Sequence, residues 1–377
     1  MEAAPTILFA GGGTGGHLFP GIAVAEQLRQ RSPSRRLIFI GSNRPIEVSI
    51  AADHHLEHRM LPVESLAVLK RNPVRFLWRN WQAWRSAQAL LKELRPAAVI
   101  GLGGYASAPL VYAASRQRIP VVLLEQNAIP GRTTRGLSRY ANQVCLSFAE
   151  AQSYLPRARR VTVTGNPVRA EIARLHHPAE DHADTVVSPV DTGRHLLILG
   201  GSQGADSLNA AVLKAVAALR EPLANWQIDH QTGPRDVEVA RQTYAQLGLK
   251  AEVSSFFREM PALYERASLV ISRAGATTLA ELACAGKPVV LLPYPHAADA
   301  HQHANAKVFV DREAALLVEH AHSSDETALQ LSRNLEKLIR DPYLRHRMGN
   351  AALSLAHPDA AAAIADVIAA EVTPCAR

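Results

Sequence analysis

The sequence predicts an α/β protein in which two doubly wound parallel sheets follow one another along the chain. Short apolar runs alternate with helical patterns over most of the 377 residues, which is typical of strands joined by crossover helices. The first predicted strand of each half runs into a glycine-rich turn, AGGGTGGHLFPG at 10–21 and LGGSQGADSLN at 199–209. Because such folds bind ligands beyond the carboxyl ends of their strands, we expect both turns to face one cleft.

Each half contains six predicted strands. In the first half they are Thr6–Ala10, Leu37–Gly41, Ala98–Leu102, Val121–Leu124, Gln143–Leu146 and Val161–Thr164, and the first helix is expected over Pro20–Arg31. In the second half they are His195–Leu199, Gln227–His230, Glu252–Ser254, Leu269–Ser272, Val289–Leu292 and Ala315–Val318.

These elements predict two domains, at 1–167 and 168–356. The segment 176–193 is polar, contains prolines and lacks any period, so we interpret it as a solvated loop. The alanine-rich C-terminal segment, about 357–377, is expected to form a helix that packs back on the first domain.

The composition is that of a folded globular protein, with 47% hydrophobic and 20% charged residues. A net charge of +7 favours an anionic partner. Cys145, Cys284 and Cys375 lie far apart, without the spacing of a metal site, and indicate a reducing compartment. With no leader at Met1 and no apolar run of about 18 residues, we expect a cytoplasmic protein that lies on any membrane it meets.

The glycines at 11, 13 and 16 match G-x-G-x-x-G, which raises the alternative of a nicotinamide-dependent dehydrogenase. That class requires an acidic residue at the end of the second strand, and here the strand ends Phe39-Ile40-Gly41-Ser42-Asn43. Glu47 comes only on the following helix. The second half offers a better nucleotide site, because the Gly-Ala-Thr-Thr turn at 275–278 opens a helix that carries Glu281.

Seven motifs occur in the order typical of the bacterial MurG family. They are GGGTGGHLFPG, GLGGYASAP, LLEQNAIPG, VTGNPVR, LGGSQGA, SRAGATTLAEL and PYPHAADAHQHANA. The chain resembles that family from about residue 6 to residue 306. The resemblance implies a GT-B fold of two Rossmann-like domains and a hexosyltransferase that needs no cofactor and no metal. It also implies transfer of N-acetylglucosamine from its UDP conjugate to lipid I, the undecaprenyl-diphosphate-linked muramoyl pentapeptide, to give lipid II with inversion.

The resemblance also assigns roles to individual residues. The residues that would bind the donor are Thr14, Gly15, Gly16, Asn127, Arg169, Ser202, Phe257, Ala276, Thr277, Thr278, Leu279, Ala280, Glu281, His301 and Gln302. Glu281 would contact the ribose hydroxyls, and Arg169 and Ser202 the donor diphosphate. Phe257 would line the uracil pocket through backbone contacts, and His301 and Gln302 would meet the hydroxyls of the sugar. Since the second half takes the donor diphosphate, the loops of the first half are expected to meet the acceptor diphosphate through Gly13, Gly103, Gly104 and Tyr105.

Two residues are candidates for the base that deprotonates the acceptor hydroxyl. His17 ends the first glycine loop, and an imidazole has an ordinary pKa of about 6.5, well matched to neutral pH. Its alternative role is to position the loop through hydrogen bonds to the backbone. Glu125 at the end of a strand is the rival base, and its alternative role is to orient other groups.

The segment LKRNPVRFLWRNWQAWRS at 69–86 predicts a helix from Pro73, with Asn72 as N-cap, to about Leu94. Its apolar stripe includes Trp78, Trp81 and Trp84, and arginines such as Arg75 and Arg79 surround it. Such a stripe usually packs on a core, but a lipid substrate favours contact with an anionic membrane for part of this face.

We therefore expect a peripheral protein on the cytoplasmic side of the bacterial inner membrane, with roles in cell-wall synthesis, cell shape and cell division. Its expected partners are UDP-N-acetylglucosamine, lipid I and other cell-wall synthesis proteins, and not nucleic acid. Two alternatives stay open, a UDP-N-acetylglucosamine 2-epimerase of the same fold and a peripheral membrane scaffold. Neither alternative requires both the complete glycine loops and the tryptophan-rich basic helix.

Overall fold

The computed structural model describes residues 5–12, 15–42, 44–69, 71–177, 193–200, 205–295, 297–321 and 323–372. The chain divides into two compact units. The first comprises Met1–Arg169 with Asp359–Arg377, and the second comprises Ala170–Pro358. No helix within the described ranges is long and apolar enough to cross a membrane.

The first unit is built on a seven-stranded sheet in which the described strand pairs are all parallel. In chain order the strands are β1 (Ile7–Gly11), β2 (Leu37–Gly41), β3 (Glu57–Met60), β4 (Ala98–Gly103), β5 (Val121–Glu125), β6 (Gln143–Leu146) and β7 (Val161–Val163). Their order in the sheet is β3-β2-β1-β4-β5-β6-β7, so the direction of winding changes between β1 and β4. Ligand sites of doubly wound sheets lie at this switch point, beyond the carboxyl ends of the neighbouring strands β1 and β4.

Helices cover both faces of the first sheet. They are α1 (Gly15–Arg31), α2 (Pro45–Asp53), α3 (Leu66–Leu69), α4 (Pro73–Leu94), α5 (Ala108–Arg116) and α6 (Arg132–Leu137), with the C-terminal helix α15 (Ala360–Val372). One face buries apolar residues of α1 together with Ile364 and Ile368 of α15. The other face buries residues of α4 and α5, among them Leu91 and Leu110.

Two details of the first unit differ from the sequence prediction. Helix α1 begins at Gly15 rather than Pro20, so the last glycines and His17 form its first turn and Pro20 lies inside it. Strand β3 was not predicted, because its sequence EHRM has no apolar alternation and it forms an edge that pairs only with β2. Glu57 in β3 binds the Arg36 guanidinium through both carboxylate oxygens, each at 2.9 Å.

The second unit repeats the same topology with six parallel strands. They are β8 (His195–Leu199), β9 (Gln227–Gln231), β10 (Lys250–Ser254), β11 (Leu269–Ser272), β12 (Val289–Leu291) and β13 (Ala315–Leu317), ordered β10-β9-β8-β11-β12-β13. The switch point lies between β8 and β11. The two parallel α/β units confirm the predicted fold class.

The helices of the second unit surround its sheet. They are α7 (Ala170–Ala173), α8 (Asp206–Ala218), α9 (Val237–Leu247), α10 (Met260–Arg266), α11 (Ala276–Cys284), α12 (His301–Asp311), α13 (Ser324–Arg340) and α14 (Pro342–Leu353). Gly13, Thr14 and Ser202 of the expected site, and residues 178–192 of the expected loop, lie outside the described residues.

Candidate functional site

The loops after β1 and β4 meet through their backbones at the switch point of the first sheet. Gly11, Gly103 and Gly104 have φ values of +146°, +93° and +71°, a region that L side chains rarely adopt. A Cβ atom on Gly11 would lie only 2.8 Å from the carbonyl oxygen of Gly103, and one on Gly104 only 3.1 Å from that of Gly12. Both loops therefore need glycine here for conformation and for space.

His17 lies beside this glycine contact. A Cβ atom added to Gly103 would be 3.1 Å from His17 Cδ2 and 3.7 Å from Gln126 Oε1, so both side chains border the same glycine. His17 is half-buried in the first turn of α1, while Gln126 is buried. The structure thus places the candidate base at the edge of both glycine loops.

Glu125, the rival base, is held inside the loop that follows β5. One carboxylate oxygen accepts hydrogen bonds from the backbone N–H of Asn127 at 3.0 Å and from its side-chain amide at 3.3 Å. The other oxygen accepts from the N–H of Gly131 at 3.1 Å, and the side chain is buried. These hydrogen bonds hold the loop that contains Asn127 in one conformation.

Glu47, set aside with the dehydrogenase interpretation, lies beneath the first glycine loop and is only 1% exposed. It accepts hydrogen bonds from the backbone N–H of Ser42 at 2.8 Å, from the Ser42 hydroxyl at 2.8 Å and from the N–H of Arg44 at 3.4 Å. His58 Nε2 lies 3.9 Å from this carboxylate, and burial lowers the pKa of that imidazole. The spacing Arg-Pro-x-Glu at 44–47 was the available signal, since a helix N3 glutamate often bonds the N-cap N–H.

Arg169 lies on the first unit, with its guanidinium carbon 5.8 Å from the centroid of the Phe19 ring. Phe19 in turn borders Gly15, since a Cβ there would lie 3.0 Å from Phe19 Cε2. The two expected donor residues Gly15 and Arg169 are thus connected through one aromatic ring. Gly16 belongs to the same first turn of α1.

In the second unit Glu281 lies in α11, just beyond the loop after β11. Its side chain is 8% exposed, and one carboxylate oxygen accepts a hydrogen bond from the buried Tyr264 hydroxyl at 2.8 Å. Sequence reasoning missed Tyr264, since nothing in its local pattern links α10 to α11. Thr277, Thr278 and Ala280 are half-buried, whereas the side chains of Ala276 and Leu279 are buried and leave only backbone groups for a ligand.

Arg273, also missed, connects several loops at the same edge of the second sheet. Its guanidinium donates to the Leu292 carbonyl at 2.9 Å and to the Ser207 hydroxyl at 2.7 Å, and it lies 2.8 Å from His320 Nε2. Burial lowers the pKa of Arg273 to about 10, which leaves it a cation at neutral pH. The side chain therefore holds the segments around Ser207, Leu292 and His320 together at this edge of the sheet.

The sugar-binding candidates lie at the start of α12. Asp299 and Ala300 have φ values of 51° and 54°, a left-handed conformation that is uncommon for residues other than glycine. His301 begins the helix, and the side-chain oxygen of Gln302 accepts from the Tyr294 N–H at 2.8 Å. Gln302 therefore fixes the β12–α12 loop.

Phe257, the expected uracil contact, is buried, and its backbone N–H donates to the side chain of Gln231 at 3.0 Å. Backbone contact from this residue to a base would thus involve its carbonyl group. Gln231 ends β9 and is a further residue that the sequence did not indicate.

Helix α4 has the bounds predicted from its capping signals, and the Asn72 side chain accepts from the N–H of Arg75 at 2.9 Å. Val74, Leu77, Trp78 and Trp81 remain 75%, 65%, 54% and 51% exposed. Trp84, in contrast, is half-buried against the core. Trp84 therefore packs in part against the core, whereas the other four side chains form the exposed part of the stripe.

The two arginines expected at the membrane have partners within the protein. Arg75 forms an ion pair with Glu64 at 2.9 Å, and the Arg79 guanidinium lies 6.0 Å from the Trp78 ring centroid. A cation held against an aromatic face in this way still presents positive charge beside the exposed tryptophans.

Comparisons with known proteins cover both units. Residues 7–146 match the glycosyltransferase family 28 N-terminal domain, and 195–364 match the C-terminal domain of the same family. A relative from Geobacter sulfurreducens is 38% identical over 97% of this chain and 98% of its own length. It is named UDP-N-acetylglucosamine–N-acetylmuramyl-(pentapeptide) pyrophosphoryl-undecaprenol N-acetylglucosamine transferase.

Two solved structures are informative about the fold. The crystal structure of Acinetobacter baumannii MurG superimposes with a TM-score of 0.77 at 31% identity, covering 97% of this chain and 99% of the other. A UDP-GlcNAc 2-epimerase from Neisseria meningitidis gives a TM-score of 0.64 at 13% identity, covering 97% and 100%. At that identity the second likeness shows the shared GT-B fold alone.

Proposed function

The chain belongs to the MurG family of glycosyltransferases, and from this membership we propose that it is a hexosyltransferase of peptidoglycan synthesis. Its donor is UDP-N-acetylglucosamine and its acceptor is lipid I, at the C4 hydroxyl of the N-acetylmuramoyl residue. The products are lipid II and UDP. The observation that carries the proposal is the 38% identical match to the transferase from Geobacter sulfurreducens, which extends over 97% of the chain.

His17 is the proposed base for the acceptor hydroxyl. Its ring borders Gly103 and Gln126, at the edge where the two glycine loops of the first unit meet. Neutral imidazole accepts a proton readily near pH 7, which suits an inverting transfer in which the hydroxyl attacks the anomeric carbon directly. Glu125 supports this site by fixing Asn127, whose amide is proposed to contact the donor sugar.

The departing UDP requires stabilisation of the charge that develops on its diphosphate. The first turn of α11 follows directly on the loop after β11, so its N–H groups and helix dipole suit an anion there. Arg169 and Ser202 are proposed to add side-chain contacts, and Glu281 to bind the ribose hydroxyls. His301 and Gln302 at the start of α12 are proposed to bind hydroxyl groups of the sugar.

The acceptor diphosphate is proposed to lie on the loops of the first unit. Gly103 ends β4, and Gly104 and Tyr105 follow it at the switch point of the sheet, while Gly13 is proposed from its place in the sequence after β1. Glycines let the backbone N–H groups approach phosphate oxygens closely.

The lipid acceptor requires contact with the membrane, and the exposed stripe of α4 is the proposed contact. Val74, Leu77, Trp78 and Trp81 give it an apolar surface, and Arg75 and Arg79 give it positive charge. Such helices lie in the interface of anionic bilayers with the apolar face inserted. We place the enzyme on the cytoplasmic side of the inner membrane, where other cell-wall synthesis proteins are expected partners and cell shape and division depend on its product.

A double Trp78→Ala/Trp81→Ala variant is expected to lose most of its binding to anionic vesicles, because it removes two exposed indole rings from the stripe. Cosedimentation with vesicles containing anionic lipid measures the change. The matched control is Leu329→Ala/Tyr343→Ala, which removes two exposed apolar side chains from the second unit. Equal binding of the wild type and the tryptophan variant would exclude this face as the contact.

Transfer of labelled N-acetylglucosamine to a synthetic lipid I analogue tests the proposed reaction. Lipid-bound label is expected only when both substrates are present. Consumption of the donor to an epimerised sugar nucleotide, without lipid-bound label, would indicate an epimerase. A folded protein that consumes neither substrate would be a scaffold.

A further inference from the structure

We propose that Arg44 is an additional contact for the diphosphate of the acceptor, presented beside Tyr105 by a short segment that the Glu47 carboxylate holds in place. The proposal rests on the proposed function, because it takes the lipid-linked diphosphate as the acceptor. Tyr105 was already expected at the acceptor diphosphate, whereas Arg44 and Glu47 were not among the residues assigned to the site.

The first step of the argument is the position of Arg44. It is exposed and lies between β2 and α2, as the N-cap of that helix. Since β2 is parallel to β1 and adjacent to it, the residues after β2 lie at the same edge of the sheet as both glycine loops. The guanidinium carbon is 5.6 Å from the centroid of the Tyr105 ring, which follows Gly103 and Gly104 directly.

The second step is the buried carboxylate beneath this segment. Glu47 accepts from the N–H groups of Ser42 and Arg44 and from the Ser42 hydroxyl, so it fixes the path of the chain from β2 into α2. A Cβ atom on Gly12 would lie 2.4 Å from one oxygen of this carboxylate, and one on Gly41 2.5 Å from the other. The carboxylate therefore packs directly against the backbone of the first glycine loop.

These contacts form a closed ring around the switch point. Glu47 packs on Gly12, the carbonyl of Gly12 packs on Gly104, Tyr105 follows Gly104, and the Arg44 guanidinium lies over the Tyr105 ring. The N–H of Arg44 then returns to Glu47 at 3.4 Å. A displacement of the Glu47 carboxylate would consequently alter both glycine loops and the position of the guanidinium.

The third step is the chemistry of the ligand. Glycine loops supply backbone N–H groups, whereas a diphosphate on a lipid carries negative charge that a cation compensates. A guanidinium offers several N–H donors in a planar fork that matches phosphate oxygens. The cation–π contact with Tyr105 keeps that fork at the edge of the loop without removing its charge.

The test compares Arg44→Gln with Arg116→Gln, which makes the same charge change at the end of α5, the edge where β5 begins. We expect Arg44→Gln to raise the KM and the dissociation constant for a water-soluble lipid I analogue about tenfold, the value of a charge-assisted hydrogen bond. The KM for UDP-N-acetylglucosamine should not change, and Arg116→Gln should change neither constant. Arg44→Lys, which keeps the charge and loses the fork, should have a smaller effect than Arg44→Gln.

A second acceptor analogue, in which an uncharged amide replaces the peptide, identifies the anion that Arg44 binds. The same loss with this analogue supports diphosphate recognition, whereas disappearance of the effect assigns Arg44 to a peptide carboxylate and overturns the proposal. An effect confined to the donor KM, or none at all, also overturns it. A wild type that binds the lipid analogue in calorimetry but transfers no sugar would contradict the proposed function alone.

Glu47→Gln tests the positioning role. It keeps the shape of the side chain but turns one acceptor oxygen into an NH2 group that cannot accept from the backbone. We expect the same selective loss of acceptor binding, and an Arg44→Gln/Glu47→Gln double variant should lose less than the product of the two single effects. Independent, multiplicative effects would show that Glu47 does not act through Arg44.

Discussion

Replacement of His17 by alanine is expected to lower kcat by about 10² to 10⁴-fold, the usual contribution of a positioned general base. The acceptor hydroxyl would then have to lose its proton without an adjacent acceptor. Binding of UDP-N-acetylglucosamine should change little, because the proposed contacts to uracil, ribose and diphosphate belong largely to the second unit. Steady-state transfer to a lipid I analogue, together with direct measurement of donor binding, checks both parts.

The control for this variant is His54→Ala, which removes another half-buried histidine of the first unit. Its turnover should stay close to that of the wild type. Near-normal kcat in His17→Ala would eliminate His17 as the base. In that case the contribution of His17 would be structural, because its ring packs against Gly103 and supports the conformation of the loop.

Replacement of Glu281 by alanine is expected to raise the KM for UDP-N-acetylglucosamine at least about 100-fold, because two hydroxyls of the ribose lose a charged acceptor. The KM for the acceptor should stay near its original value. Donor titrations at saturating acceptor measure the effect. A large fall in kcat with an unchanged donor KM would contradict a binding role for this carboxylate.

Tyr264→Phe provides a graded version of the same prediction. The variant removes only the hydroxyl that donates to Glu281 at 2.8 Å, so the donor KM should rise less than in Glu281→Ala. Tyr244→Phe is the matched control, since it also removes a buried hydroxyl in the second unit, one that bonds His230 Nδ1 at 2.9 Å. Both variants are expected to lose about 1–3 kcal/mol of stability. Equal rises of the donor KM in both variants would show that the Tyr264 hydroxyl contributes to the stability of the fold and has no specific role in donor binding.

Local signals in the sequence predict the regular elements well. Helix α4 was predicted with its observed start at Pro73 because Asn72 and Pro73 are strong helix-start residues, and Pro96 follows its end at Leu94. Helix α1 was predicted five residues short, because Gly15, Gly16 and Pro20 are residues that ordinarily disfavour a helix interior. Strand β3 exists through its pairing with β2, which a local pattern does not encode.

The residues of the candidate site also differ in whether local sequence signals could predict them. Glycine turns and Glu281 could be found because their spacing after a strand has a known physical meaning. Glu47 and Tyr264 act across elements, through contacts to Gly12 and to Glu281 that no local spacing encodes. For Glu125 the sequence left two roles open, and its three hydrogen bonds to Asn127 and Gly131 favour the orienting one.

The placement of α15 has a consequence for the order in which the protein folds during synthesis. This helix follows the whole second unit in the chain, yet Ile364 and Ile368 belong to the core beneath α1. The ribosome therefore releases the first sheet and α1 long before the residues of α15 that complete the cover of this face. Until α15 emerges, the part of that apolar face that α1 does not cover must remain exposed or be shielded by a chaperone, so the unit that is made first is completed last.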